Sequence, residues 1–288
     1  WEQAPPEAER RVPIRVPGLV SSVAGSFPEI APEACDWVFE RTFTAPEQIA
    51  GGVARLRFDG IDDAAHVFLN GERIGSHTGQ FSPAEWVVTD QIRPGAENRL
   101  LVVVEQAPEL NVPPGAVSRQ RRWKSRFAYG WPGFPRQVSV GLWDSVALEV
   151  TGPAWIRSAA IYTNLAIDRT EAALSIVCEF GAVRQVRTVL RTEITQEGFP
   201  AGSVEDQVRI FGDTGVVQST TLPRVQLWWP NGHGRQPLYR ARLSLLDLDG
   251  RLLDRREITF GVRHVEAVAC QGAPPDSPPL CLTINGRP

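Results

Sequence analysis

Along most of this chain apolar and polar residues alternate with a period of two, and a helical period near 3.6 residues is nowhere sustained. Such alternation sends successive side chains to opposite faces, so it predicts strands. The stretch 58–81 sets the rhythm. Leading into it, Leu56 and Phe58 alternate with Arg55, Arg57 and Asp59, which predicts a half-buried strand. Gly60 breaks the run, and Ala65, Val67 and Leu69 begin a second strand. Asn70-Gly71 follows at once; both residues tolerate positive φ, which marks a hairpin turn. The return runs through Ile74 and ends at Gly75 and Gly79. The same reading predicts strands over 37–43, 53–58, 65–69, 86–89, 100–105 and 143–150. Leu100 to Val104 is apolar without a break, as in a strand buried on both faces.

Thr151-Gly152-Pro153 interrupts the pattern and marks a domain boundary. Beyond it strands are predicted over 156–163, 174–180, 186–194, 208–211, 239–246 and 256–260. Leu174, Ile176, Cys178 and Phe180 share one face. Val186, Thr188, Leu190, Thr192 and Ile194 share another, with Arg187, Arg191 and Glu193 opposite. About seven strands over roughly 110 residues is the size of an immunoglobulin-like sandwich, here in architecture only, since the Cys…Trp…Cys spacing of antibody domains is missing. The chain thus reads as all-β, one sandwich following another.

Two stretches escape the alternation. Residues 1–36 are rich in Pro, Glu and Ala and read as an extended lead-in lying over a domain. Between Ala107 and Val140 the strand pattern stops for more than about thirty residues, whereas loops above ~12–15 residues are usually functional or disordered. Trp123, Phe127, Tyr129, Trp131 and Phe134 lie there among Arg119, Arg121, Arg122, Lys124, Arg126 and Arg136, which disfavours disorder. Aromatic rings and guanidinium groups give much contact area for little lost entropy, which suits a surface that holds a ligand or docks a neighbour.

Composition narrows the picture. A chain of 288 residues is long enough for about two domains, and 42% hydrophobic residues with 24 Pro and 25 Gly suit a turn-rich globular β protein. A net charge of −3 gives no basic footprint, so nucleic acid is not an expected partner. No run approaches the ~20 apolar residues of a membrane span and no signal peptide opens the chain, so no membrane partner is expected and the compartment, cytoplasmic or secreted, stays open. Met is absent, so Trp1 is not a retained initiator. Cys35, Cys178, Cys270 and Cys281 lie far apart and read as thiols, with Cys270 and Cys281 the pair that might join.

Candidate chemistry is sparse. His66, His77, His233 and His264 are dispersed without a second ligand at metal spacing, so no metal is expected. Asp62-Asp63, Glu205-Asp206 and Asp247 with Asp249 resemble carboxylate pairs, yet each sits in a turn, where Asp serves backbone hydrogen bonding. Asn70 is a turn residue before it is a ligand-binding one, and Trp228-Trp229, followed by Pro230-Asn231-Gly232, reads as a packed turn before a stacking platform. No phosphate, dinucleotide or nucleophile-elbow motif occurs, and no cofactor is implied.

Five segments together resemble glycoside hydrolase family 2, and its β-mannosidase-like branch in particular. They are Trp37-Val38-Phe39 with Phe43, then Phe58 through Gly71, then Gly75-Ser76-His77-Thr78-Gly79-Gln80-Phe81. Leu227 through Tyr239 and Gly261-Val262-Arg263 complete the set. The resemblance covers about residues 35–288 and implies a jelly-roll β-sandwich (galactose-binding-like) followed by the immunoglobulin-like sandwich. Domains are then expected at 1–36 (lead-in), 37–152 (jelly roll), 153–268 (immunoglobulin-like) and 269–288. The last span, with Asn285-Gly286, would be a linker and the first hairpin of a (β/α)8 barrel of ~250 residues that does not fit in this chain.

By this resemblance the chain is the non-catalytic front of a retaining exo-β-glycosidase, with no catalytic residue of its own. Its expected partners are the catalytic barrel of the same polypeptide and a β-linked oligosaccharide or glycoside. The family's Phe-Gly-Trp-Asp-Trp-Gly-Pro-Arg loop, which reaches the pocket, corresponds to Tyr129-Gly130-Trp131-Pro132-Gly133-Phe134-Pro135-Arg136. Trp131, Arg136 and Tyr129 are therefore the expected pocket-rim residues. Pro132 stands where the family's sugar-contacting Asp lies and Gly133 where its second Trp lies, which leaves β-galactosidase, β-glucuronidase or exo-β-glucosaminidase specificity open. A stand-alone carbohydrate-binding module is the other reading.

Overall fold

The computed structural model of the chain describes all residues except 1, 6–9, 27–28, 34, 50–51, 107–123, 126, 130–132, 134–136, 275 and 279. Two compact units result, Trp1–Val150 and Thr151–Pro288. Among the described residues there are strands and short 3-10 turns but no α-helix, as the period-two pattern predicts.

In the first unit the strands are β1 (Gly18–Leu19), β2 (Trp37–Thr44), β3 (Val53–Phe58), β4 (Ala64–Leu69), β5 (Glu72–Thr78), β6 (Ala84–Val87), β7 (Glu97–Val104), β8 (Gly141–Leu142) and β9 (Val146–Thr151). A four-stranded sheet runs β2-β7-β4-β5, a three-stranded sheet runs β6-β3-β9, and β1 pairs with β8. Val67, Leu69, Val102 and Val104 of the larger sheet share one core with Leu56, Phe58, Leu148 and Val150 of the smaller. Phe58 meets Trp86 edge-on at 5.8 Å. Gly75 is required where Trp86 crosses, since a Cβ there would come within 2.1 Å of the indole nitrogen.

The run Leu100 to Val104 is buried on both faces, as expected. Its second face joins Phe68, Leu101 and Val103 in a small cluster on which Ala4 of the lead-in packs. β3 differs from expectation: Arg55 is 0% exposed, so this strand is buried on both faces too. It is the central strand of its sheet, and the Arg55 guanidinium donates to Glu85 on β6 (2.5 Å) and Glu149 on β9 (2.9 Å). Carboxylates on both flanking strands let a charged side chain leave water.

The second unit holds β10 (Ala154–Leu165), β11 (Glu171–Ala182), β12 (Val186–Gln196), β13 (Phe199–Ile210), β14 (Thr214–Pro223), β15 (Tyr239–Leu246), β16 (Leu252–Phe260), β17 (Val265–Val268) and β18 (Cys281–Ile284). Sheets β10-β11-β14 and β13-β12-β15-β16 form a seven-stranded sandwich. Leu190 and Ile194 on β12 face Leu174, Ile176, Cys178 and Phe180 on β11 in its core. Polar inward positions are satisfied locally. Gln218 on β14 accepts from Thr192 Oγ1 (2.7 Å) and donates to the Leu190 carbonyl (2.9 Å) and to Asp206 (2.9 Å).

β17 pairs antiparallel with β18, so the expected boundary at 268/269 falls within a two-stranded ribbon. Asn285 (φ 51°) and Gly286 (φ 75°) form the turn that ends it, closed by reciprocal bonds between Ile284 and Arg287 of 2.7 and 3.0 Å.

Candidate functional site

Of the expected rim residues, Trp131 and Arg136 lie outside the described residues. Tyr129 is described. It ends the 3-10 turn Phe127–Tyr129, is half-buried, and packs against the core of the first unit, while Phe127 is 71% exposed. Tyr129 thus anchors this part of the loop to the sandwich.

Lys124 and Ser139, either side of the segment 125–138, meet at a buried polar cluster. Asp62 lies between β3 and β4, its side chain 0% exposed, and Lys124 faces it at 1%. The Lys124 ammonium donates to Asp62 Oδ1 and to the Ser139 carbonyl, the latter at 2.5 Å. Gln80 Nε2 donates to the other Asp62 oxygen at 3.0 Å, and Gln80 Oε1 accepts from the Ser125 backbone N–H at 2.6 Å. Asp62 and Gly141 exchange backbone bonds of 2.8 and 3.3 Å, fixing the aspartate beside β8. Burial pushes the Asp62 carboxyl up from its ordinary value, and the opposing pull of Lys124 does not fully compensate.

An aromatic lid borders the cluster. The Trp143 indole donates to the Gln80 carbonyl at 2.8 Å and lies on Gly60, where a Cβ would sit 2.4 Å from the ring. Phe81, 73% exposed, meets that ring edge-on at 6.0 Å.

Chemically the cluster holds a loop. Its carboxylate is enclosed and hydrogen-bonded on both oxygens, and among the described residues no group of three metal-ligating side chains occurs. The sequence reading takes Asp62 as structural through turn chemistry; its partner is instead a lysine 62 positions away. One signal could have pointed there: Lys124 is the single lysine among 30 basic residues.

Other singled-out residues serve the scaffold. Asn70, at φ 54°, donates to the Gln91 carbonyl and to Asn98 Oδ1, both at 2.8 Å, and accepts from the Arg99 N–H at 3.0 Å. His66 Nε2 lies 3.0 Å from Glu105, and His77 Nε2 lies 2.8 Å from the Gly79 carbonyl. Trp228-Trp229 is a packed turn: Trp228 lies over Gly261, and Arg263 and Arg287 stand 5.0 and 4.9 Å over the two rings. Asn285 Nδ2 ties the ribbon to the Trp228 carbonyl at 3.0 Å.

Residues 30–144 match the glycosyl hydrolase 2 galactose-binding domain-like family, and residues 154–263 match glycosyl hydrolases family 2. β-Mannosidase B of Aspergillus clavatus is 28% identical over 247 residues, covering 81% of this chain and 28% of its own length. An exo-β-D-glucosaminidase of Arthroderma benhamiae is 22% identical over 276 residues, covering 91% of this chain and 29% of its own. Among solved structures, the β-D-mannosidase of Dictyoglomus thermophilum superposes with a TM-score of 0.74 at 23% identity, over 99% of this chain and 38% of that one. The β-glucuronidase of Bacteroides uniformis gives 0.66 at 18% identity, over 88% and 28%. At such identities these two structures speak for the fold. The chain spans about 28% of the length of the curated β-mannosidases it matches. Consecutive matches over a jelly roll and a seven-stranded sandwich show that the chain belongs to glycoside hydrolase family 2, as its galactose-binding-like domain followed by its immunoglobulin-like domain.

Proposed function

We propose that this chain is the non-catalytic N-terminal region of a retaining exo-β-glycosidase of β-mannosidase type. It provides the scaffold beside a catalytic barrel and a loop that walls the sugar pocket. The barrel would carry two carboxyl groups about 5–5.5 Å apart, one the nucleophile and one the acid/base. On this reading the chain binds no cofactor and turns nothing over alone. Trp131 stacks on the sugar and Arg136 donates paired hydrogen bonds to hydroxyls or to a barrel carboxylate. Tyr129 roots the loop.

The observation that carries the reading is the extent of the family match over 30–144, which includes the whole aromatic loop. β-Mannosides are the first substrate class to test because β-mannosidase B aligns across both domains. Pro132 and Gly133 make β-galactosides, β-glucuronides and β-glucosaminides the necessary comparison.

The test is nitrophenol release from the four corresponding aryl β-glycosides, by this chain and by the longer polypeptide. The longer polypeptide is expected to release nitrophenol from one of them. The chain alone is expected to match a heat-killed control, and measurable turnover by it overturns the proposal.

A further inference from the structure

Arginine fills 29 of the 30 basic positions of this chain, and the exception, Lys124, is enclosed. An ammonium is a compact point charge on a slim stem, whereas a guanidinium is a planar fork. A lysine can therefore reach the Asp62 carboxylate and the Ser139 carbonyl in one narrow space. The bonds close a ring: Lys124 to Asp62, Asp62 to Gln80, and Gln80 to the N–H of Ser125, the next residue in the chain. The tie from Lys124 to Ser139 joins positions fifteen apart and closes the base of the loop between them.

Stability is a poor explanation for this ring. Burying two charges is costly, and apolar replacements of a buried ion pair are often neutral or stabilising; fixing a register is the better-attested use. Burial raising the Asp62 carboxyl agrees with that.

We infer that Lys124, Asp62 and Gln80 form a positioning clasp that holds Ser125 and Ser139 together as the base of the segment 125–138. The inference rests on the pocket-wall reading proposed above. The three are positioning residues, with no contact to the reacting atoms.

The test replaces the ion pair with apolar groups, Asp62→Leu with Lys124→Met. In this chain, trypsin cleavage at Arg126 and Arg136 under native conditions is expected to accelerate about ten-fold, while far-UV circular dichroism is unchanged. In the longer polypeptide, KM for the accepted aryl glycoside is expected to rise at least about five-fold with kcat within about three-fold, the pattern of lost ground-state binding. A merely destabilised enzyme loses active fraction, which lowers kcat and leaves KM alone. Should the double variant lose its strand signal, Gln80→Leu replaces it, since it cuts the link to Ser125 and keeps the ion pair. Cleavage within two-fold of the wild-type chain overturns the clasp. Accelerated cleavage with unchanged kinetics supports the clasp and overturns the pocket-wall reading.

Discussion

The Asp62 carboxylate is fully buried beside Lys124, and burial raises its pKa above the ordinary 3.8. A carboxyl raised in the folded state contributes stability that is complete below the ordinary value. That contribution is lost as pH climbs through the folded value, because the unfolded chain releases its proton first. Urea melts of the wild-type chain and of Asp62→Asn between about pH 4 and 7 should therefore show wild type losing ground as pH rises. If wild type gains ground instead, the attraction of Lys124 outweighs burial. Cys178 follows the same sign, its thiol pushed up to about 12 by burial in the second core. At pH ~8 it remains a thiol, and only thiolates attack disulfide reagents. Mass spectrometry after labelling the native chain should find the exposed Cys270 modified and Cys178 untouched until denaturant is added. Early modification of Cys178 would mean that the sandwich opens readily.

β3 shows how an element's surroundings override its own pattern. Leu56 and Phe58 alternate with Arg55 and Arg57, yet both faces are closed, because Glu85 and Glu149 reach Arg55 from either side. Removing the carboxylates takes two ion-pair partners from a buried cation, whereas removing the cation leaves two carboxylates at 19% and 21% exposure that can turn to water. Glu85→Ala with Glu149→Ala should thus cost about 3–5 kcal/mol in urea unfolding, and Arg55→Met no more than about 1–2 kcal/mol. The reverse order would show that Arg55 is held chiefly by packing of its stem. β14 shows the opposite limit of sequence reading. Its inward positions Thr214, Val216, Gln218, Thr220 and Leu222 are mostly polar, so alternation carries no apolar signal there. Gln218 is nevertheless 1% exposed, because Thr192, Leu190 and Asp206 satisfy its amide from the facing sheet. That strand was not legible in the sequence; β12, with Leu190 and Ile194 inward and Arg187 and Arg191 outward, was.

At the scale of the molecule, each of the two units has its own core, and among the described residues no group of three metal-ligating side chains occurs. On the reading proposed above, the aromatic loop acts only beside a catalytic barrel. Each of its rings would contribute on the order of 1.5–3 kcal/mol if fully covered there. Trp131→Ala should leave the melting temperature of this chain nearly unchanged and lower kcat/KM of the longer polypeptide. A large loss of stability with activity intact would make Trp131 a core residue. By itself the sequence determined the strand positions with strong alternation, the Asn70-Gly71 and Asn285-Gly286 turns, and the family. All of these are signals between near neighbours: period-two burial needs only adjacent residues, and positive φ only the turn residue itself. Tertiary structure decided which charges are buried and what holds the loop. Arg55 meets Glu149 across 94 positions and Asp62 meets Lys124 across 62, and no local pattern encodes a contact that exists only once the sheets have stacked.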